Sequence, residues 1–365
     1  MVFNKEMASF QLHPGRSVGA DNPCYVIAEI GQNHQGEMSI AMELISGAAK
    51  AAVDCVKFQK SKLTRKFTRS ALDRPYVSKH SFGANYGEHK RSLEFTEEQF
   101  HQLQRYALNE GVQFTASPMD IESVDFLLSL NVPFLKIGSG DVNNYPMLQW
   151  ATRKDHTQPI VLSTGMHDIK VIQKSMSIIA DSTRSCCILQ CTSCYPCPAE
   201  HVNLNVMKSY QKMFPFAVVG YSGHELSDEV SLAAVAMGAK VLERHVTLDH
   251  SMKGSDHACS LNMDQLTALV GKIRTIEKAF GSFEKKRCSV EEPCYRKLGK
   301  SIVTSKAIAK GEVIDESMLD IKVAEPQGIE AHFYYQIIGQ KVAQDLEVDV
   351  AIQLNHLVDS GFAFQ

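Results

Sequence analysis

PIVLSTGMHDIKVIQKSMSIIADSTRSCCILQCTS (159–193) holds two short apolar runs, Pro159–Gly165 and Cys186–Ser193, with a helical-looking stretch between them. Each run is rich in Val, Ile or Leu and ends in a polar residue. The same unit recurs outward in both directions. Before it come Tyr25–Gly31, Cys55–Gln59, Gln113–Pro118 and Phe134–Ser139, and after it Ala217–His224 and Val241–Leu248. Short apolar strands alternating with helices are the signature of a parallel sheet with crossover connections. Eight units in about 250 residues match a (β/α)8 TIM barrel, whose active site lies where the strands end. The strand ends supply Glu29, Lys57, Gln59, Thr115, Ser117, Lys136, Ser139, Ser163, Ser193, Ser222, His224, Glu243 and His245. A structural protein has no use for so many polar groups on one rim, so the chain reads as an enzyme.

The 365 residues exceed one average domain and fit a barrel plus something smaller. The barrel is assigned to 1–282, a charged, weakly periodic linker to 283–297, and a small β-rich domain with Gly and Pro turns to 298–365. A net charge of −3 argues against a nucleic-acid binder. No apolar run reaches membrane-spanning length, and the N-terminus lacks the apolar core of a secretory signal, so a cytoplasmic protein is expected. Ten cysteines in a chain this long do not make a disulfide scaffold. Five of them crowd between Cys186 and Cys197, but those from Cys186 to Cys191 lie in an expected strand. Alternating faces would keep them from converging on a metal. The stretch 60–95 is polar and reads as one long loop on the catalytic face. Helices are expected near 96–110, 121–130 and 262–280.

Several residue types at the rim carry chemistry. His224 and His245, on neighbouring strand ends, are close enough to share one divalent ion such as Mn²⁺, or else are two hydrogen-bonded core histidines. Lys57 and Lys136 suit phosphate binding or Schiff-base chemistry, or are merely paired with a carboxylate. Ser139, Ser163, Ser193 and Ser222 next to Lys136 favour phosphate, because hydroxyls beside an ammonium satisfy its oxygens. Glu29 and Glu243 are the candidate acid–base residues. Asp256 either binds a sugar hydroxyl or caps a helix.

Taken together, AEIGQNHQG (28–36), VKFQ (56–59), TASPMD (115–120), KIGSGD (136–141), LSTGM (162–166), QCTSCYPCPAEHVNL (190–204), GYSGHE (220–225) and LERHVTLDHSMKGSDHACS (242–260) resemble the sialic acid synthase family. The tail KLGKSIVTSKAIAKGEVIDESMLDIKV resembles its C-terminal antifreeze-protein-like (SAF) domain. The resemblance implies condensation of phosphoenolpyruvate with N-acetylmannosamine or, as in animals, its 6-phosphate. It also implies a divalent metal ion (Mn²⁺ or Mg²⁺) on His224 and His245, phosphate held by Lys136, Ser139, Ser163, Ser193 and Ser222, and proton transfers by Glu29 and Glu243. Lys57, Gln59, Thr115, Asp141, Tyr195 and Asp256 would position the substrates, in a domain-swapped homodimer. Two positions depart from the bacterial pattern. Ser193 stands where those relatives carry asparagine, and Lys300 where they carry an arginine that reaches the sugar's acetamido group. Lysine lacks the bidentate fork, so unacetylated mannose 6-phosphate is a further expected substrate. The 60–95 stretch, with Lys79, His80, His89, Lys90 and Arg91, is expected to recognise the sugar phosphate, Lys90 and Arg91 foremost. The rival readings are an aldolase on the same barrel, metal-dependent or Schiff-base forming, and a carbohydrate-binding protein.

Overall fold

In the computed structural model, which describes residues 8–182 and 185–358, the chain divides into two units, Met1–Gly281 and Ser282–Gln365. The first opens with an antiparallel hairpin, β1 (Ser9–His13) and β2 (Arg16–Gly19). Eight parallel strands follow: β3 (Tyr25–Gly31), β4 (Cys55–Lys60), β5 (Gln113–Pro118), β6 (Leu135–Ile137), β7 (Ile160–Ser163), β8 (Cys186–Cys191), β9 (Val218–Gly223) and β10 (Val241–His245). The last strand pairs with the first, His245 beside Glu29, so the sheet runs unbroken from β5 through β3 and β10 to β6. At the remaining seam the Thr115 hydroxyl on β5 donates to the Phe134 carbonyl at 2.7 Å. The architecture is the TIM barrel that the sequence led us to expect.

Both faces of each strand are buried, which is why the strands read as continuous apolar runs. Alternate residues such as Val26, Ala28, Val56, Phe58, Ile188 and Leu242 pack outward under the helices. The helix Met38–Lys50 returns Ala41, Leu44, Ile45 and Ala48, the three- and four-residue spacing of one helical face. The opposite set, Tyr25, Ile27, Cys55, Phe134, Val161, Cys187, Leu189, Val218 and Val241, fills the barrel interior together with Leu12 and Val18 of the hairpin. The hairpin thus plugs the amino-terminal end of the barrel, and Arg16 is tied to Asp54 at 2.8 Å.

Two stretches differ from their sequence reading. The 60–95 segment is not one loop: it carries short helices at Leu63–Lys66, Arg69–Asp73 and Tyr86–Leu93, the last two N-capped by Thr68 and Asn85. Its polar composition hid elements too short to show periodicity. Within 283–297, read as a linker, a one-turn 3₁₀ segment Ser289–Glu291 leads into a helix Glu292–Leu298 with proline in its first turn. Among the described residues, the second unit has one ladder, β11 (Lys300–Thr304) with β12 (Leu319–Val323), and a core including Ile302, Ile308, Ile314, Ile337 and Ile352.

Candidate active site

The inward side-chain parity that is apolar low in the barrel turns polar at its carboxyl end. Tyr25 and Ile27 lead to Glu29, Cys55 to Lys57 and Gln59, and Phe134 to Lys136; Val161 leads to Ser163 and Val241 to Glu243 and His245. These side chains line a cavity of about 460 Å³. Of the residues expected at the site, it collects Glu29, Lys57, Gln59, Lys136, Ser139, Asp141, Ser163, Ser193, Tyr195, Ser222, His224, Glu243, His245 and Asp256.

Lys57 and Lys136 share Glu243. Lys57 Nζ lies 2.6 Å from Glu29 Oε2, 3.0 Å from Ser117 Oγ and 3.7 Å from Glu243 Oε1. Lys136 Nζ donates to Ser163 Oγ at 2.7 Å and lies 3.5 Å from Glu243 Oε1, which also accepts from Ser222 Oγ at 3.3 Å. Burial works to raise the pKa of both carboxyls, with different outcomes. At Glu243 the ammonium groups of Lys136 and Lys57 outweigh burial and hold it below the ordinary carboxylate range. At Glu29 burial prevails over Lys57, with Glu243 adding repulsion, and its pKa is pushed up to about 7. Two carboxylates of unequal proton affinity on one ammonium separate an acid–base group from a fixed negative charge.

Lys136, Ser139, Ser163, Ser193 and Ser222 surround the part of the cavity bounded by β6 to β9. The Ser139 hydroxyl accepts the Gly165 N–H at 2.9 Å. A Cβ on Gly165 would lie 2.2 Å from Ser193 Oγ and 2.9 Å from Ser139 Oγ, so only glycine lets the two hydroxyls stand together. Serine hydroxyls and one buried ammonium are thus gathered on one side of the cavity, the donor types that a phosphate's oxygens require.

On the β9–β10 side the imidazole rings of His224 and His245 lie 5.4 Å apart, with Tyr195 packed 4.0 Å from His224. His224 Nδ1–H donates to Thr192 O at 2.9 Å, which leaves the Nε2 lone pair free to act as a ligand. His245 Nδ1 is buried without a partner, as is Glu243 Oε2. Burial lowers the pKa of both rings, His245 to about 3, and keeps them neutral, the form that coordinates metal. This donor set fits a divalent ion with open positions. Among the described residues, no group of three or more His, Cys, Asp or Glu side chains is arranged as a closed metal site.

Several expected residues are elsewhere. Thr115 does not reach the cavity, because its hydroxyl is spent closing the β5–β6 seam. Lys90 stands back from the cavity wall and donates to Gln32 Oε1 at 2.8 Å, while Arg91 is exposed. His89 belongs to an aromatic cage of Tyr76, Phe82 and Tyr86 and accepts the Phe82 N–H, and His80 accepts the Gly254 N–H at 3.2 Å. His89 thus braces the 60–95 lobe from within, and His80 ties it to the loop after β10. Lys300 is exposed at the start of β11 in the second unit. Conversely, Lys66 and Met166 line the cavity without having been singled out. Met166 holds φ +67°, a strained conformation for a non-glycine residue, at the turn after β7. Arg244 also went unremarked. It points outward from β10, fully buried, and donates from Nη1 to Glu225 Oε1 (2.9 Å), Ser227 O (2.9 Å) and Ser231 Oγ (2.8 Å).

A buried ammonium among serine hydroxyls, two carboxyls of unequal proton affinity and two neutral imidazoles at the carboxyl end of a parallel barrel are the make-up of an enzyme's active site. The NeuB family matches residues 44–285 and the SAF domain residues 299–358, and the chain belongs to the NeuB family. It is 49% identical over 350 residues to the N-acetylneuraminate-9-phosphate synthase of Homo sapiens, covering 96% of this chain and 97% of that one. With the N-acetylneuraminate-9-phosphate synthase of Drosophila melanogaster it shares 42% identity, covering 92% and 96%. The N-acetylneuraminic acid (sialic acid) synthetase of Leptospira borgpetersenii serovar Hardjo-bovis superposes with a TM-score of 0.68 at 28% identity, over 80% of this chain and 97% of that one.

Proposed function

We propose that the chain condenses phosphoenolpyruvate with N-acetylmannosamine 6-phosphate and water to give N-acetylneuraminate 9-phosphate and phosphate. The observation that carries this reading is the Lys136–serine cradle beside the Glu29–Lys57–Glu243 cluster and the imidazole pair in one cavity. The cradle suits the phosphate of phosphoenolpyruvate. His224 and His245 would hold a divalent ion, Mn²⁺ or Mg²⁺, which supplies Lewis-acid polarisation of the open-chain sugar's aldehyde. Carbon 3 of phosphoenolpyruvate then attacks that aldehyde. Glu29, poised near neutrality, takes a proton from the water that adds at carbon 2. Glu243, held ionised, orients Lys57 and Lys136 and balances their charge. The tetrahedral centre collapses by expelling phosphate into the cradle. Gln59, Asp141, Tyr195 and Asp256 are suited to the sugar's hydroxyls.

The reading extends to a cytoplasmic enzyme working as a domain-swapped homodimer, with Lys300 presented to the partner's substrate; this part rests on the family resemblance. No helix among the described residues is long and apolar enough to cross a membrane. A Schiff base on Lys57 is disfavoured because Glu29 and Glu243 raise its pKa against the effect of burial and hold its amine protonated; burial lowers the pKa of Lys136, so for that lysine the borohydride test decides.

The test is phosphate release from phosphoenolpyruvate after chelation and again with Mn²⁺ restored. Release that needs both the metal and the sugar phosphate is expected, with no effect of borohydride. Release unaffected by chelation would remove the metal from the reading, and inactivation by borohydride would favour the aldolase.

A further inference from the structure

Most buried or half-buried cations of the barrel have an acidic partner. Lys57 and Lys136 have Glu243, Arg244 has Glu225, and Arg16 has Asp54. Among the other half-buried lysines, Lys60 and Lys240 donate to the backbone carbonyls of Phe95 and Asn22, and two at the mouth have neither a carboxylate nor a carbonyl. Lys66, on the wall of the cavity, rests its ammonium on the Met119 thioether and lies 5.0 Å from the Phe67 ring centre. Lys90 donates to the neutral Gln32 amide at 2.8 Å and lies 5.5 Å from the Tyr86 ring centre. No carboxylate among the described residues stands within 4.0 Å of either ammonium. Burial lowers the pKa of both against the more distant carboxylates, Asp141, Glu94 and Asp120 for Lys66 and Asp256 and Glu94 for Lys90, and Lys66 depresses Lys90 further, to about 8.

A desolvated, mutually repelling pair of ammonium groups is costly unless an anion settles between them. The fold holds the pair in place. Lys66 ends one short helix of the 60–95 lobe and Lys90 lies on another, inside the lobe braced by the aromatic cage around His89. The lobe follows β4, whereas the cradle serines come from the ends of β6 to β9, so the pair and the cradle belong to different sides of the mouth. A substrate with its aldehyde at the imidazoles and a charged group at its other end meets that geometry.

We propose that Lys66 and Lys90 seat the phosphate on C6 of the sugar, and that Lys66 sets the preference for a phosphorylated over a free sugar. This rests on the condensing activity argued above. Lysine suits the role, because an ammonium binds a phosphate dianion as a mobile point charge from several directions.

The full-length enzyme is assayed with N-acetylmannosamine 6-phosphate and with N-acetylmannosamine, as wild type, Lys66→Met, Lys66→Arg and Lys90→Met. Loss of one charge-assisted contact is expected to raise KM for the phosphorylated sugar roughly 10- to 100-fold in Lys66→Met. Its kcat/KM for the free sugar falls far less than that for the phosphorylated one, and Lys66→Arg recovers most of the loss. Equal losses with both sugars, or an unchanged KM for the phosphorylated one, would overturn the proposal. Thermal stabilisation by each sugar is read in parallel. The phosphorylated sugar should raise the Tm of wild type more than the free sugar does, and the difference should vanish in Lys66→Met. If wild type made no product, the activity reading would fall, but this comparison would still decide the pair: no extra stabilisation by the phosphate sinks it.

Discussion

Single side chains at the barrel mouth are governed by how burial competes with charge. Glu29 and Glu243 are comparably buried and share one ammonium, yet their pKa values move apart because Lys136 is the strongest of the charges acting on Glu243 and the weakest of those acting on Glu29. At His34, just beyond β3, burial prevails over a backbone hydrogen bond to Gly31. It stacks 4.2 Å from Phe95 and accepts the Gly36 N–H on Nδ1, and burial drives its pKa down to about 3. The unfolded chain binds this proton near pH 6.5 and the folded one does not, so His34 costs nothing above pH 6.5. As pH falls from 6.5 toward 3 it removes stability at about 1.4 kcal/mol per pH unit, because the unfolded state alone is protonated. His34→Gln keeps an acceptor without a titrating ring and is expected to flatten this acid limb of a urea-denaturation series. A variant with the same slope as wild type between pH 6 and 4 would locate the effect elsewhere.

At the scale of the strand, the two-residue repeat decides what sequence can reveal. Inward positions are apolar low in the barrel and polar at its end, so runs such as VIAE (26–29) and VLERH (241–245) announce both a strand and its functional tip. The repeat gives position along the strand and leaves partnership open. Thr115 has the same parity as Lys57's other neighbours but binds a backbone carbonyl across the seam, a matter of strand geometry that no composition encodes. Lys66 was hidden for a different reason: it lies past a strand end on a four-residue helix without periodicity. Arg244 fell between two recognisable residues, Glu243 and His245, and faces the other way. Its guanidinium locks β10 to the Glu225–Ser231 segment after β9, where Tyr221 also donates to Glu225 at 2.8 Å. Arg244→Leu leaves Glu225 buried without its countercharge and is expected to cost about 3–5 kcal/mol of stability by chemical denaturation. The double change Arg244→Leu with Glu225→Leu should recover a good part of it, since no charge is then stranded. A loss under 1 kcal/mol for the single variant would mean that the pair is solvated.

For the whole molecule the open matter is which barrel the second unit serves. It has its own core, mostly isoleucines and leucines, and Lys300 is exposed at the start of its first strand. The family resemblance assigns Lys300 to the substrate of the partner subunit, and the assignment makes a prediction that a cis arrangement does not. Lys57→Met disables a barrel and leaves its second unit intact; Lys300→Ala does the reverse. Each homodimer alone should be impaired. Unfolding and refolding an equimolar mixture makes half of the dimers mixed, and in each mixed dimer one site pairs an intact barrel with an intact second unit. Activity should therefore rise to roughly a quarter of wild type, well above the mean of the two variants. If Lys300 acted within its own chain, no mixed dimer would hold a complete site and the activity would stay at that mean. Should Lys300→Ala alone keep full activity with both the acetylated and unacetylated sugar phosphates, Lys300 would have no part in recognising the substrate. The second unit would then contribute through other residues or through stability, which the Tm of a chain ending at Gly281 would measure.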